Sequence, residues 1–380
     1  MAAPLFPIQD NSRWQQEEIL VDARRFYDAL LSGIRSAEKT IDLDYYIFTT
    51  DALGQQVMGA LEEAAHRGVA IRLILDGFGS AENAHEIACR LQCAGIGVCI
   101  YHPHPFYPSL YRWSITQGNF LRKFIHFLLY INHRDHHKLC IIDSRRIWTG
   151  SLNITADHLP KSEGGGGWHD YGVILTDENI QSIQHGFNSL WGLSQPRERL
   201  PPLQKIRSNL SLRLRKISNR WLVRKLQAAE SRIWICHAYF APSYRILRAL
   251  YQGCRKGVDV RLILPAHSDV QFFPWLSRTY YRSLMRQGVR IYEYQPAILH
   301  AKLMLIDDEC MIGSTNMNHR SYYHDLEMDI VLSQPESIRE IEYSLLADMN
   351  TSREITLVDM EKHSIALFFS RFLRLFKYWL

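Results

Sequence analysis

Two stretches of this chain carry histidine, lysine, serine and asparagine in one order. Residues 136–153 read HHKLCIIDSRRIWTGSLN, and residues 300–316 read HAKLMLIDDECMIGSTN. The shared frame is His-x-Lys-x4-Asp, an apolar stretch, then Gly-Ser-x-Asn. The spacing selects His136 over His137, because His136 and Lys138 match His300 and Lys302. Six identities at nearly one spacing have a chance of about one in a hundred million per start position. The doubling is therefore a signal rather than an accident of composition.

On a strand, residues i and i+2 share a face. Each copy thus sets an imidazole beside an ammonium at the start of an apolar strand, 138–143 or 302–307. The Gly-Ser-x-Asn turn ends the next strand and brings back a hydroxyl (Ser151, Ser314) and an amide (Asn153, Asn316). Two such sets face to face would supply a nucleophile, a general acid and an oxyanion cradle, which suits a phosphate diester. The copies differ in one respect: six residues separate Asp143 from Gly150, and five separate Asp307 from Gly313. Unless Asp307 aligns with Asp143, the turn carrying Ser314 and Asn316 sits differently from its counterpart.

Positioning two sets of groups requires two similar scaffolds, and the repeat extends well beyond the motif. KTIDLDYYIF (39–48) matches SRIWICHAYF (231–240), RGVAIRLIL (67–75) matches KGVDVRLIL (256–264), and LQCAGIGVCIYHP (91–103) matches LMRQGVRIYEYQP (284–296). A helical pattern follows the first strand of each half, GQQVMGALEEAAHRG and YRILRALYQGCRKG. Strand, helix, Gly-Val, strand, helix, Gly, strand is the rhythm of a parallel-leaning α/β sheet. The expected organisation is a first half over 1–200, a basic linker over 201–218, a second half over 219–350 and an amphipathic segment over 351–380.

The 380 residues are 47% hydrophobic and 22% charged, as in an ordinary globular protein, with a net charge of +5. That charge is too small for a dedicated nucleic-acid protein. Seven cysteines without a CxxC pair argue against zinc and for a reducing compartment. The start MAAPLFPIQDNSRW lacks a signal-peptide pattern, and no run of about 18 uncharged apolar residues predicts a spanning helix. Beyond Pro201 and Pro202 the chain carries eight cations and no acid up to Lys225. A solvated linker and amphipathic helix explain this; a surface for anionic headgroups is the functional alternative.

The halves are unequal. Pro103 to His136 is 33 positions and Pro296 to His300 is 4, so the first half carries about 29 more residues. Within this insertion (about 104–132), Phe120, Leu121, Phe124, Phe127, Leu128 and Ile131 form an apolar helical stripe. Residues 363–380, HSIALFFSRFLRLFKYWL, are apolar and aromatic with interspersed Arg and Lys. Both 107–131 and 363–380 are expected to lie in a membrane surface, against the alternative of helices docked on the body. Glycines 164–167 beside Trp168 predict a mobile loop near the site.

These residues resemble the doubled motif of the phospholipase D superfamily and, within it, the bacterial cardiolipin synthases of the peripheral type without N-terminal transmembrane helices. The resemblance runs from about Val21 to Val331 and includes YYIFTTDALG, RGVAIRLILDGFGS, NHRDHHK, AYFAPSYRILRAL and LHAKLMLIDD. It implies an α/β fold of two tandem α/β/α halves with mixed, mainly parallel sheets and an active site at their interface. It implies one histidine of His136 and His300 as nucleophile, with His136 favoured, and the other as general acid and base. Lys138, Lys302, Asn153 and Asn316 would hold the phosphate, with help from Ser151 and Ser314. Asp170 and Glu327 would orient the histidines, although Asp325 lies close to the second. Asp143 and Asp307 would hold turns.

No metal or other cofactor is implied. The implied partners are anionic phospholipid, phosphatidylglycerol or cardiolipin, at the cytoplasmic face of the bacterial inner membrane, and not nucleic acid. The implied reaction transfers a phosphatidyl group between two phosphatidylglycerols, giving cardiolipin and glycerol. Hydrolysis to phosphatidic acid and a phospholipase D-type nuclease remain the alternatives.

Overall fold

The computed structural model describes residues 14–104, 107–114, 133–178, 180–192 and 205–362. The first half runs β1 (Gln16–Leu20), α1 (Ala23–Ser36), β2 (Thr40–Tyr45), α2 (Ala52–His66), β3 (Ala70–Asp76), α3 (Ala84–Cys93), β4 (Gly97–Tyr101), β5 (Lys138–Ile142), β6 (Arg146–Gly150), β7 (Gly172–Thr176) and α4 (Gln181–Leu190). The second runs β8 (Ile206–Ser208), α5 (Leu212–Ala228), β9 (Arg232–His237), α6 (Tyr244–Arg255), β10 (Asp259–Pro265), α7 (Phe273–Met285), β11 (Arg290–Tyr294), β12 (Lys302–Ile306), β13 (Glu309–Gly313), α8 (His319–Tyr323), β14 (Met328–Leu332), α9 (Pro335–Thr351), β15 (Ser352–Glu354) and α10 (Leu357–Lys362).

Each half folds into one sheet. The first has the order β1-β7-β6-β5-β2-β3-β4, and the second β15-β11-β10-β9-β12-β13-β14-β8. Read from the other edge, the second repeats the first, with β8 in the place of β1 and β15 added beyond β11. The sheets are mixed, but their pairing is mainly antiparallel, not mainly parallel as expected. Among the described strands, only β2-β3-β4 and β9-β10-β11 pair in parallel. The reason is local: β5-β6 and β12-β13 are joined by tight turns, which dictate antiparallel neighbours.

Helices begin where a polar side chain can take up their first N–H groups. Asp22 accepts from Arg24 and Arg25 ahead of α1, Asp51 from Gly54 ahead of α2, and Ser211 from Leu214 ahead of α5. Apolar faces then bury against the sheets. Leu30, Ile34, Val57, Leu61 and Ile87 cover the outer side of the first sheet, and Leu222, Ala249, Leu250 and Leu276 that of the second. A third core joins the halves, with Leu139, Ile141 and Val173 from one sheet, Cys236, Leu303 and Ile330 from the other, and Ile341 and Leu345 of α9. Each buried side chain of this size contributes ~2 kcal/mol relative to exposure, so the halves are locked together.

The segment 201–218 is not a solvated linker where it is described. β8 extends the second sheet through β14, and α5 begins at Leu212. Lys205 and Arg207 are buried because each has a buried acid, Asp177 and Asp329, at 2.5 Å. Of the insertion, residues 108–113 form a short 3-10 helix; 115–131, with the apolar stripe, lie outside the described residues. So do residues 363–380. Among the described residues no helix is long and apolar enough to cross a membrane.

Candidate active site

His136 lies two residues before β5, and His300 two residues before β12. Strand alternation then separates the two adjacent histidines. His136 and Lys138 share one side, while His137 turns the other way, its Nδ1 held at 2.7 Å from Asp135 and 3.1 Å from Asp44. Burial favours a neutral His137, but Asp135 and then Asp44 outweigh it and hold the ring protonated well above its ordinary range. Among the described residues, Asp44, Asp135 and His137 form the group outside the site that could hold a cation; here the His137 Nδ1 lies between the two carboxylates, at 3.1 and 2.7 Å.

Backbone hydrogen bonds stitch the halves together at the histidines. The His136 N–H donates to the Leu326 carbonyl at 3.0 Å, and the Leu326 N–H to the Arg134 carbonyl at 2.8 Å. In the mirror arrangement the His300 N–H donates to the His169 carbonyl at 2.9 Å, and the His169 N–H to the Ile298 carbonyl at 2.8 Å. Residues 326 and 169 each precede an acid. The stitching therefore crosses the acids over: Glu327 of the second half lies 3.0 Å from Nδ1 of His136, and Asp170 of the first lies 2.7 Å from Nδ1 of His300. Asp325 is taken up instead by Arg320, at 3.0 Å.

Tautomers follow from partners. The Ser314 carbonyl lies 3.1 Å from His136 Nδ1; a carbonyl only accepts, so Nδ1 carries the proton and Nε2 keeps a lone pair. At His300 the acid decides: the ionised Asp170, 2.7 Å from Nδ1, only accepts, so Nδ1 carries the proton and Nε2, 3.1 Å from Lys302 Nζ, keeps its lone pair. Lys138 Nζ donates to the His136 carbonyl at 2.8 Å, and Lys302 Nζ to that of His300 at 2.5 Å. Both lysines keep further N–H groups for a ligand.

The six motif residues are 1–8% exposed, and desolvation dominates their electrostatics. Burial, then Lys138 and Lys302, holds His136 well below its usual range. Burial and Lys302 lower His300, although Asp170 pulls it back up. Burial and Lys302 push Lys138 down to about 7. Burial raises both acids, but the outcomes differ. His300 and Lys302 outweigh burial at Asp170 and hold it below the usual carboxylate range. At Glu327 burial and Asp325 prevail and push it up to about 8. One dyad is thus imidazole with carboxylate, the other imidazole with carboxylic acid.

The serines do not point at the histidines. Ser151 donates to Asp170, and Ser314 to Glu327 at 2.5 Å, so both set the acids rather than lining the cradle. The Ile47 N–H fixes the Asn153 amide oxygen at 3.3 Å, which leaves the Asn153 NH2 for a ligand. Asp143 and Asp307 sit at the far ends of β5 and β12. Asp143 accepts the N–H groups of Glu38, Lys39 and Thr40, and Asp307 those of Glu230, Ser231 and Arg232. They clamp the entry to β2 and β9. The one-residue difference between the hairpins is absorbed in these turns. Ile142 pairs with Arg146 across three residues, and Ile306 with Glu309 across two. Both motif turns consequently start from the same register, at Gly150 and Gly313. Neither position admits a side chain: a Cβ there would lie 2.5 Å from the Tyr171 carbonyl or 2.2 Å from that of Met328.

Three neighbours were not read from the sequence. His158 accepts the Asn153 N–H on Nε2 at 3.1 Å and sets Nδ1 3.3 Å from Asp170. Its position has a counterpart in Ser321, which accepts the Asn316 N–H at 3.2 Å; the shared offset of five from each asparagine was the available signal. Tyr46 stands edge-on to His136 at 4.7 Å, and Trp168 tilts over His300 at 5.4 Å. The glycine run before Trp168 is tied down rather than loose. Gly165 donates to the Pro160 carbonyl and Gly167 to that of Leu159.

The family described as "Cardiolipin synthase, PLD-like domain" matches residues 30–191 and 222–349. A cardiolipin synthase of Clostridium perfringens is 28% identical over 379 residues, which cover 94% of this chain and 75% of that protein. Cardiolipin synthase 2 of Bacillus cereus is 30% identical over 361 residues, 91% of this chain and 67% of that one. Among solved structures, the phosphatidylserine synthase of Haemophilus influenzae superposes with a TM-score of 0.69 over 96% of both chains at 14% identity, which is a likeness of fold. Two tandem sheets, crossed histidine–acid dyads between them and these matches lead to one conclusion: the chain belongs to the cardiolipin synthase family of phospholipase D-like phosphatidyltransferases.

Proposed function

We propose that this chain is a cardiolipin synthase that joins two phosphatidylglycerol molecules through a phosphatidyl-histidine. The observation that carries the reading is the pair of crossed dyads around two buried lysines. His136 is the better nucleophile in the resting site: it is neutral, its Nδ1–H is occupied and its Nε2 lone pair is free. His300 is the better acid, because the ionised Asp170 stabilises its imidazolium.

In this scheme Nε2 of His136 attacks phosphorus of the first phosphatidylglycerol. The P–O bond to glycerol breaks, and protonated His300 gives the leaving oxygen its proton. A hydroxyl of the second phosphatidylglycerol then attacks phosphorus, passes its proton back to His300, and breaks the P–N bond. Lys138, Lys302, Asn153 and Asn316 hold the non-bridging oxygens throughout. The anionic diester raises the depressed lysines and His300, so substrate brings the site into its charged, working state. Deep burial of the six residues disfavours water as acceptor and supports transfer over hydrolysis. The proposed location is a bacterial membrane surface, cytoplasmic face, where the substrates reside.

The test is a product assay on phosphatidylglycerol vesicles, with and without phosphatidylethanolamine, read by mass spectrometry. Cardiolipin with released glycerol supports the reading, and the ethanolamine arm identifies the donor. Phosphatidic acid alone makes the protein a hydrolase. No lipid turnover by folded protein overturns the reading and directs attention to nucleic-acid phosphodiesters.

A further inference from the structure

The basic run beyond residue 200 is only partly used by the fold. Lys205, Arg207 and Arg215 are buried, and Lys225 pairs with Glu309 at 2.8 Å. Arg213, Lys216, Arg220 and Arg224 stand exposed on α5, and Arg245 on the first turn of α6. Among the described residues no carboxylate lies within ion-pair distance of these five. No acid occurs between residues 201 and 229. Unpaired like charges on adjacent helices repel one another, and an anionic partner relieves that. Large apolar side chains are interleaved with them: Leu212 is 72% exposed, Tyr244 75% and Tyr323 45%.

Three of these cations converge on a groove of about 200 Å³ between α5 and α6. Arg220, Arg224, Arg245, Ser243, Tyr322 and Tyr323 line it. Topology places its rim at the active-site end of the second half. The last residue of β9, His237, pairs with Lys302, and α6 begins shortly after it, so Tyr244 and Arg245 lie at that end. α5 leads into the far end of β9, so its first turn, with Leu212 and Arg213, lies at the site end as well. Arg215 confirms this by donating to the carbonyls of Tyr323 and His324, and α8 itself follows closely on Asn316. The groove is also wired to the site. Asn219 donates to the Tyr322 carbonyl at 2.9 Å and accepts from Arg207 at 3.1 Å, and Arg207 donates to Thr315, between Ser314 and Asn316, at 3.0 Å.

We propose that this face docks the protein on an anionic phospholipid bilayer. A lipid phosphate sits in the groove against Arg220, Arg224 and Arg245, and Leu212, Tyr244 and Tyr323 enter the headgroup layer. Arginine suits the task because its planar fork holds phosphate oxygens and stays charged, and tyrosine is at home at a membrane–water boundary. The choice of a membrane over another polyanion rests on the lipid-substrate reading above and on the interleaved apolar side chains, which phosphate recognition alone does not need.

The experiment sediments the full chain with phosphatidylcholine vesicles, with and without phosphatidylglycerol, and compares it with the Arg220→Gln/Arg224→Gln/Arg245→Gln variant. Each basic residue near an anionic surface is worth about fivefold in partitioning (~1 kcal/mol). The variant is expected to lose about 100-fold on phosphatidylglycerol vesicles while turning over a soluble chromogenic phosphodiester within twofold of the parent. Vesicle binding within twofold of the parent overturns the proposal. So does a variant that keeps vesicle binding but loses binding to a duplex oligonucleotide. If the variant does not fold, hydrogen exchange of residues 212–224 in the parent decides: slowing on phosphatidylglycerol vesicles supports the face, and no change overturns it. Arginine-dependent vesicle binding without turnover of any lipid would sink the synthase reading and leave the docking face standing.

Discussion

The two dyads are alike in geometry and opposite in charge, so replacing each acid by its amide should give unequal results. Asp170 is ionised and lies 2.7 Å from His300 Nδ1 inside a buried site. Asparagine there removes the charge that stabilises the His300 imidazolium and can present an N–H where only an acceptor serves. A positioned general acid contributes about 10²–10⁴ in rate, so Asp170→Asn is expected to lower kcat on phosphatidylglycerol about 10³-fold, ~4 kcal/mol at 1.36 kcal/mol per tenfold. Because Asp170 raises the His300 pKa, its loss drops that pKa further and moves the pH optimum to lower pH. Glu327, pushed up to about 8, is a neutral acid at pH 7, so Glu327→Gln keeps the local charge and should cost only about tenfold. The assay is single-turnover phosphatidyl transfer from two donors, phosphatidylglycerol and phosphatidyl-4-nitrophenol, whose leaving group departs without a proton. Asp170→Asn should be rescued to within about tenfold on the second donor. Equal losses on both donors, or a larger loss in Glu327→Gln than in Asp170→Asn, would refute the assignment of roles.

Glu327 also carries a stability cost. The folded state holds its proton up to about pH 8, against an ordinary value of 4.5, so its contribution is favourable at low pH and is lost as pH rises from the unfolded value through about 8. Glu327→Gln should therefore have a higher Tm than the parent at pH 9 and a similar one at pH 5; a lower Tm at pH 9 contradicts this. Asp143 touches neither histidine but accepts three backbone N–H groups, so Asp143→Ala should cost about 2 kcal/mol in urea unfolding with kcat within twofold at a permissive temperature. Lys138, pushed down to about 7, should gain charge when an oxyanion fills the cradle. Calorimetry of tungstate binding at pH 7.5 in buffers of different ionisation enthalpy should show net proton uptake, and the Lys138→Met variant should show less.

The site's ingredients were legible because strand alternation is local. His136 and Lys138 are two apart and must share a face, which also sends His137 to the opposite side. The crossing of the acids was not legible: it arises from backbone pairing of Leu326 with Asp135 and of Leu299 with His169, and no periodicity announces a bridge between halves. Serine types suggested phosphate contacts, but their hydroxyls found nearer acceptors in Asp170 and Glu327. β8 was hidden for a related reason. A strand with Lys205 before it and Arg207 within it reads as a solvated linker until Asp177 and Asp329 arrive from distant sequence to neutralise both. The rhythm of strands and helices in 39–103 and 231–296 was plain, but it covers only the parallel part of each sheet. The antiparallel hairpins that carry the motifs outnumber it.

The central claim is that phosphate passes through the chain itself, on one histidine held by an acid from the other half. The most direct measurement is to react the His300→Ala protein with phosphatidyl-4-nitrophenol, quench, digest and locate the adduct by mass spectrometry. The account predicts a phosphatidyl group on the peptide bearing His136 and none in the His136→Ala protein. An adduct on His300 in the His136→Ala protein, or turnover by the parent with no adduct on either histidine, would contradict it.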